Sequence, residues 1–134
     1  GYNVIFAWDE LKKIAAENLD AARRRLMDIL CNYAGYRKCV PILVFDAYRV
    51  KGAGREQETW HNLHVIYTRE AETADMFIER ATHELAKNHR VRVVSSDGAE
   101  QIIILGNGAL RVSARAFERE VRAVEAEIRE FLDQ

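Results

Sequence analysis

Several short apolar runs in this chain hand over directly to a carboxylate. Asp46 follows Ile42-Leu43-Val44-Phe45, and Ser95, Ser96 and Asp97 follow Val91-Arg92-Val93-Val94. Glu72, Thr73 and Asp75 stand where the run around Val65-Ile66-Tyr67 passes into a helical pattern, and Asn3 stands where an opening strand should end. Open α/β sheets bind ligands outside the carboxyl ends of their strands, so these crossings deliver acids to one edge. Singly, each acid has a plainer use: Asp97 can cap a helical turn, Glu72 and Asp75 can complement a helix N-terminus, and Asp46 can begin a turn. Capping does not require acids on several neighbouring strands, however, and clustered carboxylates repel unless a cation neutralises them. Hard oxygen donors suit Mg²⁺ or Mn²⁺. Such an ion activates water and stabilises charge on a phosphodiester, which is nuclease chemistry.

The segment after Asp46 is glycine-containing and basic in part. Arg49, Lys51 and Arg55 can grip phosphates, and Tyr48 or Trp60 can stack on an unpaired base. Glu56 and Glu58 dilute that character, and a solvated loop is the plain alternative. His61 and His64 form an H-x-x-H with no cysteine or third histidine beside it, a poor zinc pattern. His83 and His89 read as helix-surface residues, and Arg23-Arg24-Arg25 as a solvated helix face that could also touch RNA.

Elements of two periods must position these groups. Trp8 to Ala16 forms a short helix and Leu19 to Tyr36 a longer one, with Ala22, Leu26, Ile29, Leu30 and Tyr33 on one face. Val40 to Phe45 is almost continuously apolar, as in a strand covered on both faces. Ala47 to Asn62 reads as a long polar loop, Leu63 to Tyr67 as a strand, and Glu72 to Asn88 as a helix with Ala74, Phe77, Ile78, Ala81 and Leu85 inward. Val91 to Val94 is a further strand. Ala99 to Leu105 holds a helical turn leading into Ile102-Ile103-Ile104, and Gly106-Asn107-Gly108 turns into a last strand, Ala109 to Val112. Ser113 caps a closing helix whose inner stripe is Phe117, Val121, Val124, Ile128 and Phe131. Strands alternating with helices predict a single α/β domain over residues 1–134, with a central parallel sheet flanked by helices.

Composition narrows the classes. The 134 residues suit one domain, and 49% hydrophobic with 31% charged residues is the balance of a globular protein with a real core. Lys and Arg number 20 against 21 Asp and Glu, so a polyanion would have to be met by a local basic patch. Cys31 and Cys39 match no zinc or redox spacing, as in a reduced intracellular protein. No apolar run approaches the roughly 20 residues that span a bilayer, and no signal peptide is visible.

These residues also resemble a known family. Gly1-Tyr2-Asn3-Val4-Ile5, Val44-Phe45-Asp46-Ala47-Tyr48-Arg49-Val50-Lys51-Gly52, Tyr67-Thr68 with Glu72-Thr73-Ala74-Asp75, and Ser95-Ser96-Asp97-Gly98-Ala99-Glu100-Gln101 are similar to blocks of the YacP-like NYN domains. Leu105-Gly106-Asn107-Gly108-Ala109-Leu110-Arg111-Val112-Ser113-Ala114-Arg115 extends the likeness over nearly the whole chain. These domains belong to the PIN-like nuclease superfamily. The resemblance implies a bacterial cytoplasmic endoribonuclease with Mg²⁺ or Mn²⁺ at the acidic edge of a PIN-like sheet. Some members of this branch cut mRNA in association with translating ribosomes, so mRNA and the ribosome are the implied partners. By position, Asp46, Asp75 and Asp97 match the family's acids and metal ligands, Glu72 the acid of Glu-Thr-Ala-Asp, and Asn3 the polar residue of Asp-Gly-Tyr-Asn. The first aspartate of that motif would immediately precede Gly1, so most of the first, central strand falls outside this chain.

The expectation is therefore a metal-dependent endoribonuclease. Asp46, Asp75, Asp97 and Glu72 carry its chemistry, Asn3 and Ser96 orient ligands or phosphate, and Tyr48, Arg49, Lys51 and Arg55 hold RNA. A non-catalytic RNA- or ribosome-binding module with the same edge is the alternative. A phosphoacceptor receiver would need a Lys after its last strand, which Leu110-Arg111-Val112-Ser113 does not provide. A dinucleotide-binding domain would need a third glycine beyond Gly106-Asn107-Gly108 and a helix after it.

Overall fold

The computed structural model describes residues 1–46, 57–69, 71–95, 103–104, 106 and 108–133. Helices α1 (Tyr2–Ala7), α2 (Asp9–Glu17) and α3 (Leu19–Arg37) lead into strand β1 (Ile42–Phe45). Strands β2 (Gln57–Trp60) and β3 (Leu63–Tyr67) follow, then α4 (Ala74–Leu85), β4 (Arg92–Ser95), β5 (Ile103–Ile104), β6 (Leu110–Ser113) and α5 (Ala114–Leu132).

The strands form two three-stranded sheets, ordered β1-β3-β2 and β4-β6-β5. Each sheet is built on a parallel pair, β1 with β3 and β4 with β6, and carries one antiparallel edge strand, β2 or β5. The expected parallel core is thus present but mixed at its edges, as is common in α/β folds. Leu43, Val44 and Phe45 are buried in succession, the mark of a strand covered on both faces.

Two local expectations are corrected. The chain opens in helix, not at the end of a strand. Tyr2, Val4, Ile5 and Trp8 bury one helical face, while Phe6 stays exposed, and Val4 and Ile5 N–H groups both donate to the Gly1 carbonyl. Asn3 therefore sits in the first turn of α1. The second correction is β2, which lies within the span read as loop. Gln57-Glu58-Thr59-Trp60 has no apolar alternation because it is an edge strand facing water, joined to β3 through His61 at φ 55°.

Caps follow the side chains that local rules favour. Asn18 accepts from Ala21 N–H at the start of α3 (3.1 Å), and Ser113 accepts from Ala116 N–H at the start of α5 (3.1 Å), as its position predicts. The inner stripe of α5 is buried at Phe117, Val121 and Val124 but releases Phe131 to solvent. On α4 the stripe Phe77, Ile78, Ala81 and Leu85 is only half-buried. One contiguous core joins α1, α2, α3, β1, β3, β6 and α5.

A polar clasp closes the side of this core. Arg92 of β4 holds Glu120 of α5 with two hydrogen bonds (2.9 and 2.6 Å), and Tyr33 of α3 donates its hydroxyl to the same carboxylate (2.7 Å). The Arg92 guanidinium, helped by Tyr33, holds the Glu120 carboxyl at about 2, well below its ordinary 4.5. A depressed carboxylate adds stability above its unfolded value and loses it as pH falls through the folded one. Arg92 is 41% exposed, so solvent screening limits the pair to about 1 kcal/mol. Glu120→Gln is expected to cost about that much in urea unfolding at pH 7. The gap between the variant and the parent should close on acidification from 4.5 towards 2; a gap that persists unchanged there would contradict this origin.

Candidate active site

The carboxyl end of β1 rests on an aromatic floor. Phe45 is fully buried, with the Tyr2 ring 4.9 Å away by centroid and the Tyr67 ring stacked at 6.0 Å. Tyr67 donates its hydroxyl to Glu58 (3.1 Å), and burial followed by that carboxylate pushes the phenol up to about 12. Arg23 reaches in from α3 to the Tyr2 hydroxyl (3.2 Å). Gly1 lies directly against the floor: an added Cβ would meet Phe45 Cδ1 at 2.8 Å and Cζ at 2.9 Å. A buried ring cannot yield easily, so Gly1→Ala is expected to destabilise by about 1–3 kcal/mol in denaturant unfolding. An unchanged midpoint would show that the ring moves aside.

Asp46 is the first residue beyond this floor. Its Oδ1 accepts the Ala74 backbone N–H (2.8 Å), so β1 ends by docking its acid onto the N-terminus of α4. Thr73 completes that terminus, its hydroxyl accepting from Met76 N–H (3.1 Å). Asp75 follows in the exposed first turn of α4. The Gly1 nitrogen donates to the Val44 carbonyl (2.6 Å), the bond a strand lying beside β1 would make. Through its bond to Ala74, Asp46 reaches the backbone of the residue immediately before Asp75. Two acids from separate crossings, 29 residues apart in sequence, thus stand at the same end of α4.

The remaining expected residues divide. Glu72 makes an ion pair with Arg80 in the second turn of α4 (3.1 Å), and its N–H closes a turn on the Arg69 carbonyl (2.9 Å). Asn3 turns its Oδ1 onto the Val4 N–H (3.0 Å) at the start of α1, next to Gly1. Tyr48, Arg49, Lys51, Arg55, Ser96 and Asp97 lie outside the described residues. Trp60 does not belong to this edge. The hairpin carries it to the amino end of β3, beside Leu63, and β3 is about 13 Å long at ~3.3 Å per residue. There its ring meets His61 edge-on (5.5 Å) and its carbonyl accepts from Cys31 Sγ (3.5 Å). Trp60 thus stands about one strand length from Asp46.

The second sheet contributes residues that sequence reading passed over. Arg111 of β6 donates Nε to Ser95 Oγ at the carboxyl end of β4 (2.9 Å). An arginine between Leu110 and Val112 was the visible sign. Thr73 was legible as a helix cap, but the sharing of that terminus with Asp46 was not.

Chemically, Asp46 and Asp75 place hard oxygen donors at the N-terminus of α4, which suit a divalent cation. One Asp46 oxygen is oriented by the α4 backbone, so the other is aimed by the same bond. Among the described residues no group of three or more His, Cys, Asp or Glu side chains could hold a metal ion. A third donor must come from elsewhere, and Asp97 lies outside the described residues.

Comparison with known proteins agrees with the architecture. The chain matches the model of the YacP-like NYN domain over residues 1–134. It is 43% identical over 129 residues to a Bacillus subtilis (strain 168) protein called uncharacterized protein YacP, covering 96% of this chain and 75% of that one. A crystal structure of Rae1 (YacP) from Bacillus subtilis superposes with a TM-score of 0.80 at 40% identity, covering 98% of this chain and 76% of that chain. A structure of its tryptophan-to-leucine mutant superposes with a TM-score of 0.79 at 38% identity, covering 97% and 76% respectively.

Proposed function

Because the chain belongs to the YacP-like NYN domain family, a group of PIN-like nuclease domains, we propose that it is a Mg²⁺- or Mn²⁺-dependent endoribonuclease. Its substrate in this reading is single-stranded RNA, with mRNA on the ribosome in a bacterial cytoplasm as the setting. No helix among the described residues is long and apolar enough to cross a membrane. The observation that carries the reading is the Asp46 carboxylate held on the Ala74 N–H, beside Asp75 at the start of α4.

Asp46, Asp75 and Asp97 would hold the ion through carboxylate oxygens. When bound, the ion lowers the pKa of water and neutralises charge on the phosphodiester in transit. The chain's own contribution is orientation. Ala74 N–H fixes the Asp46 carboxylate, and the buried Phe45 ring beneath it excludes water from one side. Glu72 assists from the start of α4, and Asn3 and Ser96 orient ligands or phosphate. Arg49, Lys51 and Arg55 position the RNA backbone, with Tyr48 against a base.

The test is incubation of the full-length protein with a labelled single-stranded RNA, with Mn²⁺, with Mg²⁺ and with EDTA. Cleavage with either metal and none in EDTA is expected. Equal cleavage in EDTA would remove the metal from the mechanism. Tight RNA binding without cleavage under any condition would favour the non-catalytic binding module instead.

A further inference from the structure

Four exposed side chains that the acidic edge leaves unused, Arg37, Lys38, Trp60 and Arg90, stand at the opposite, amino-terminal edge of the sheets. Helix α3 runs along that edge and joins its two halves. Cys31 Sγ reaches the Trp60 carbonyl beside the amino end of β3 (3.5 Å), and the Tyr33 hydroxyl meets Arg92 at the start of β4 (3.5 Å). Lys38 caps α3 seven residues, or about 10 Å of helix, beyond Cys31. The Pro41 carbonyl then accepts from His64 N–H (3.1 Å), which sets the amino end of β1 beside that of β3. Arg90 stands two residues before Arg92, at most about 7 Å back along the chain. Trp60, Lys38 and Arg90 therefore share one edge, within the span of a few nucleotides.

Charge on this edge departs from the net −1 of the chain. Its carboxylates are occupied: Glu84 holds Lys87 (3.1 Å), Glu120 holds Arg92 (2.6 Å) and Glu127 takes the Tyr36 hydroxyl (2.7 Å). Arg37, over the neighbouring Tyr36 ring (6.0 Å), has no carboxylate partner among the described residues, and neither do Lys38 and Arg90. Residues 35–40 and 87–90 are all exposed, so these cations face water. Lys38 also occupies a left-handed cap (φ 55°) that glycine usually takes, so the backbone does not call for a lysine there. Trp60 keeps 41% of its surface exposed. Cations beside an open aromatic ring hold single-stranded nucleic acid, the backbone by charge and a base by stacking. An anionic membrane would take the same cations, but it favours an amphipathic helix, and the last turn of α3 presents Gly35, Tyr36 and Arg37 instead of an apolar face.

We propose that this amino-terminal edge is a second RNA-binding surface, on which Trp60 stacks on an unpaired base while Lys38 and Arg90 hold flanking phosphates. It lies about one strand length from Asp46 and so holds a stretch of RNA other than the one at the acids. The proposal goes beyond the nuclease reading and requires no cleavage. The test is equilibrium binding of a fluorescein-labelled single-stranded oligouridine to the full-length protein in EDTA, across a series of salt concentrations. The double variant Lys38→Gln, Arg90→Gln is expected to reduce the slope of log K against log salt by about 1.4, the loss of two phosphate contacts at about 0.7 each. Lys38→Arg with Arg90→Lys should keep the slope. Trp60→Ala should weaken binding about tenfold with the slope unchanged, and Trp60→Phe should restore most of the affinity. Thermal melting checks that each variant is folded.

An unchanged slope in the glutamine double variant overturns the proposal, as does parental affinity in Trp60→Ala. A wild-type protein that binds phosphatidylserine vesicles through Lys38 and Arg90 but no oligouridine assigns the edge to a membrane and overturns it too. The expected changes in a protein that never cleaves RNA uphold this surface and sink the nuclease reading.

Discussion

Asp75→Asn is expected to abolish RNA cleavage and leave the fold intact. Asp75 is exposed in the first turn of α4, and no side-chain hydrogen bond of the described structure depends on it. The N-terminus of α4 is already satisfied by Thr73 and Asp46, so asparagine removes only a favourable charge at the helix start, about 0.3–1 kcal/mol. Activity should respond far more. Losing an outer partner of a metal ligand costs about 10–100-fold, and losing a ligand should exceed that, so kcat should fall by more than about a hundredfold. The control is Asp46→Asn, which touches two functions at once: it removes a donor and weakens the bond to Ala74 N–H. It should lose cleavage to a similar degree and stability as well, by about 1 kcal/mol. Cleavage by Asp75→Asn at the parental rate, measured with Mn²⁺ on the full-length protein, would remove Asp75 from the site.

Trp8→Ala is expected to be among the most destabilising single substitutions in the chain. Trp8 is fully buried at the junction of α1 and α2, with Phe117 at 6.0 Å and the Arg122 guanidinium over its ring at 5.9 Å. Its Nε1 bond to the Ala114 carbonyl (2.8 Å) crosses 106 residues of sequence and ties the opening helices to the start of α5. Truncation to alanine opens a cavity and should cost about 3–5 kcal/mol. Against the 5–15 kcal/mol of a typical domain, this leaves a marginal fold. Trp8→Phe separates the components. It keeps most of the apolar volume but leaves the buried carbonyl without its donor, about 1–3 kcal/mol. Urea unfolding of both variants checks this; equal midpoints for alanine and phenylalanine would mean that the hydrogen bond, not packing, carries the junction.

Much of the architecture was legible before any coordinates. The apolar runs at Ile42–Phe45 and Leu63–Tyr67 became β1 and β3, and the stripe Phe117, Val121, Val124 became the buried face of α5. Ser113 capped where a serine before a helical stripe should. These are features of short windows, in which period and side-chain type decide the outcome. The failures were at places where the window misleads. Gln57–Trp60 is a strand without a strand pattern because an edge exposed to water needs none. Tyr2–Ala7 is apolar enough to suit either period, and tertiary burial of Tyr2, Val4, Ile5 and Trp8 selected the helix.

Sequence by itself determined the class of the fold, the order of its elements and the presence of an acid just beyond β1 and at the start of α4. It also carried the family likeness, which depends on residue identity alone. Tertiary structure decided what those acids do. Register and packing brought Asp46 onto Ala74 beside Asp75, diverted Glu72 to Arg80 and carried Trp60 to the opposite end of its strand. They also laid Arg111 along β4 to Ser95. Each of these contacts joins residues according to strand pairing and helix docking. A period of 2 or 3.6 fixes which face a side chain takes but not which partner it meets.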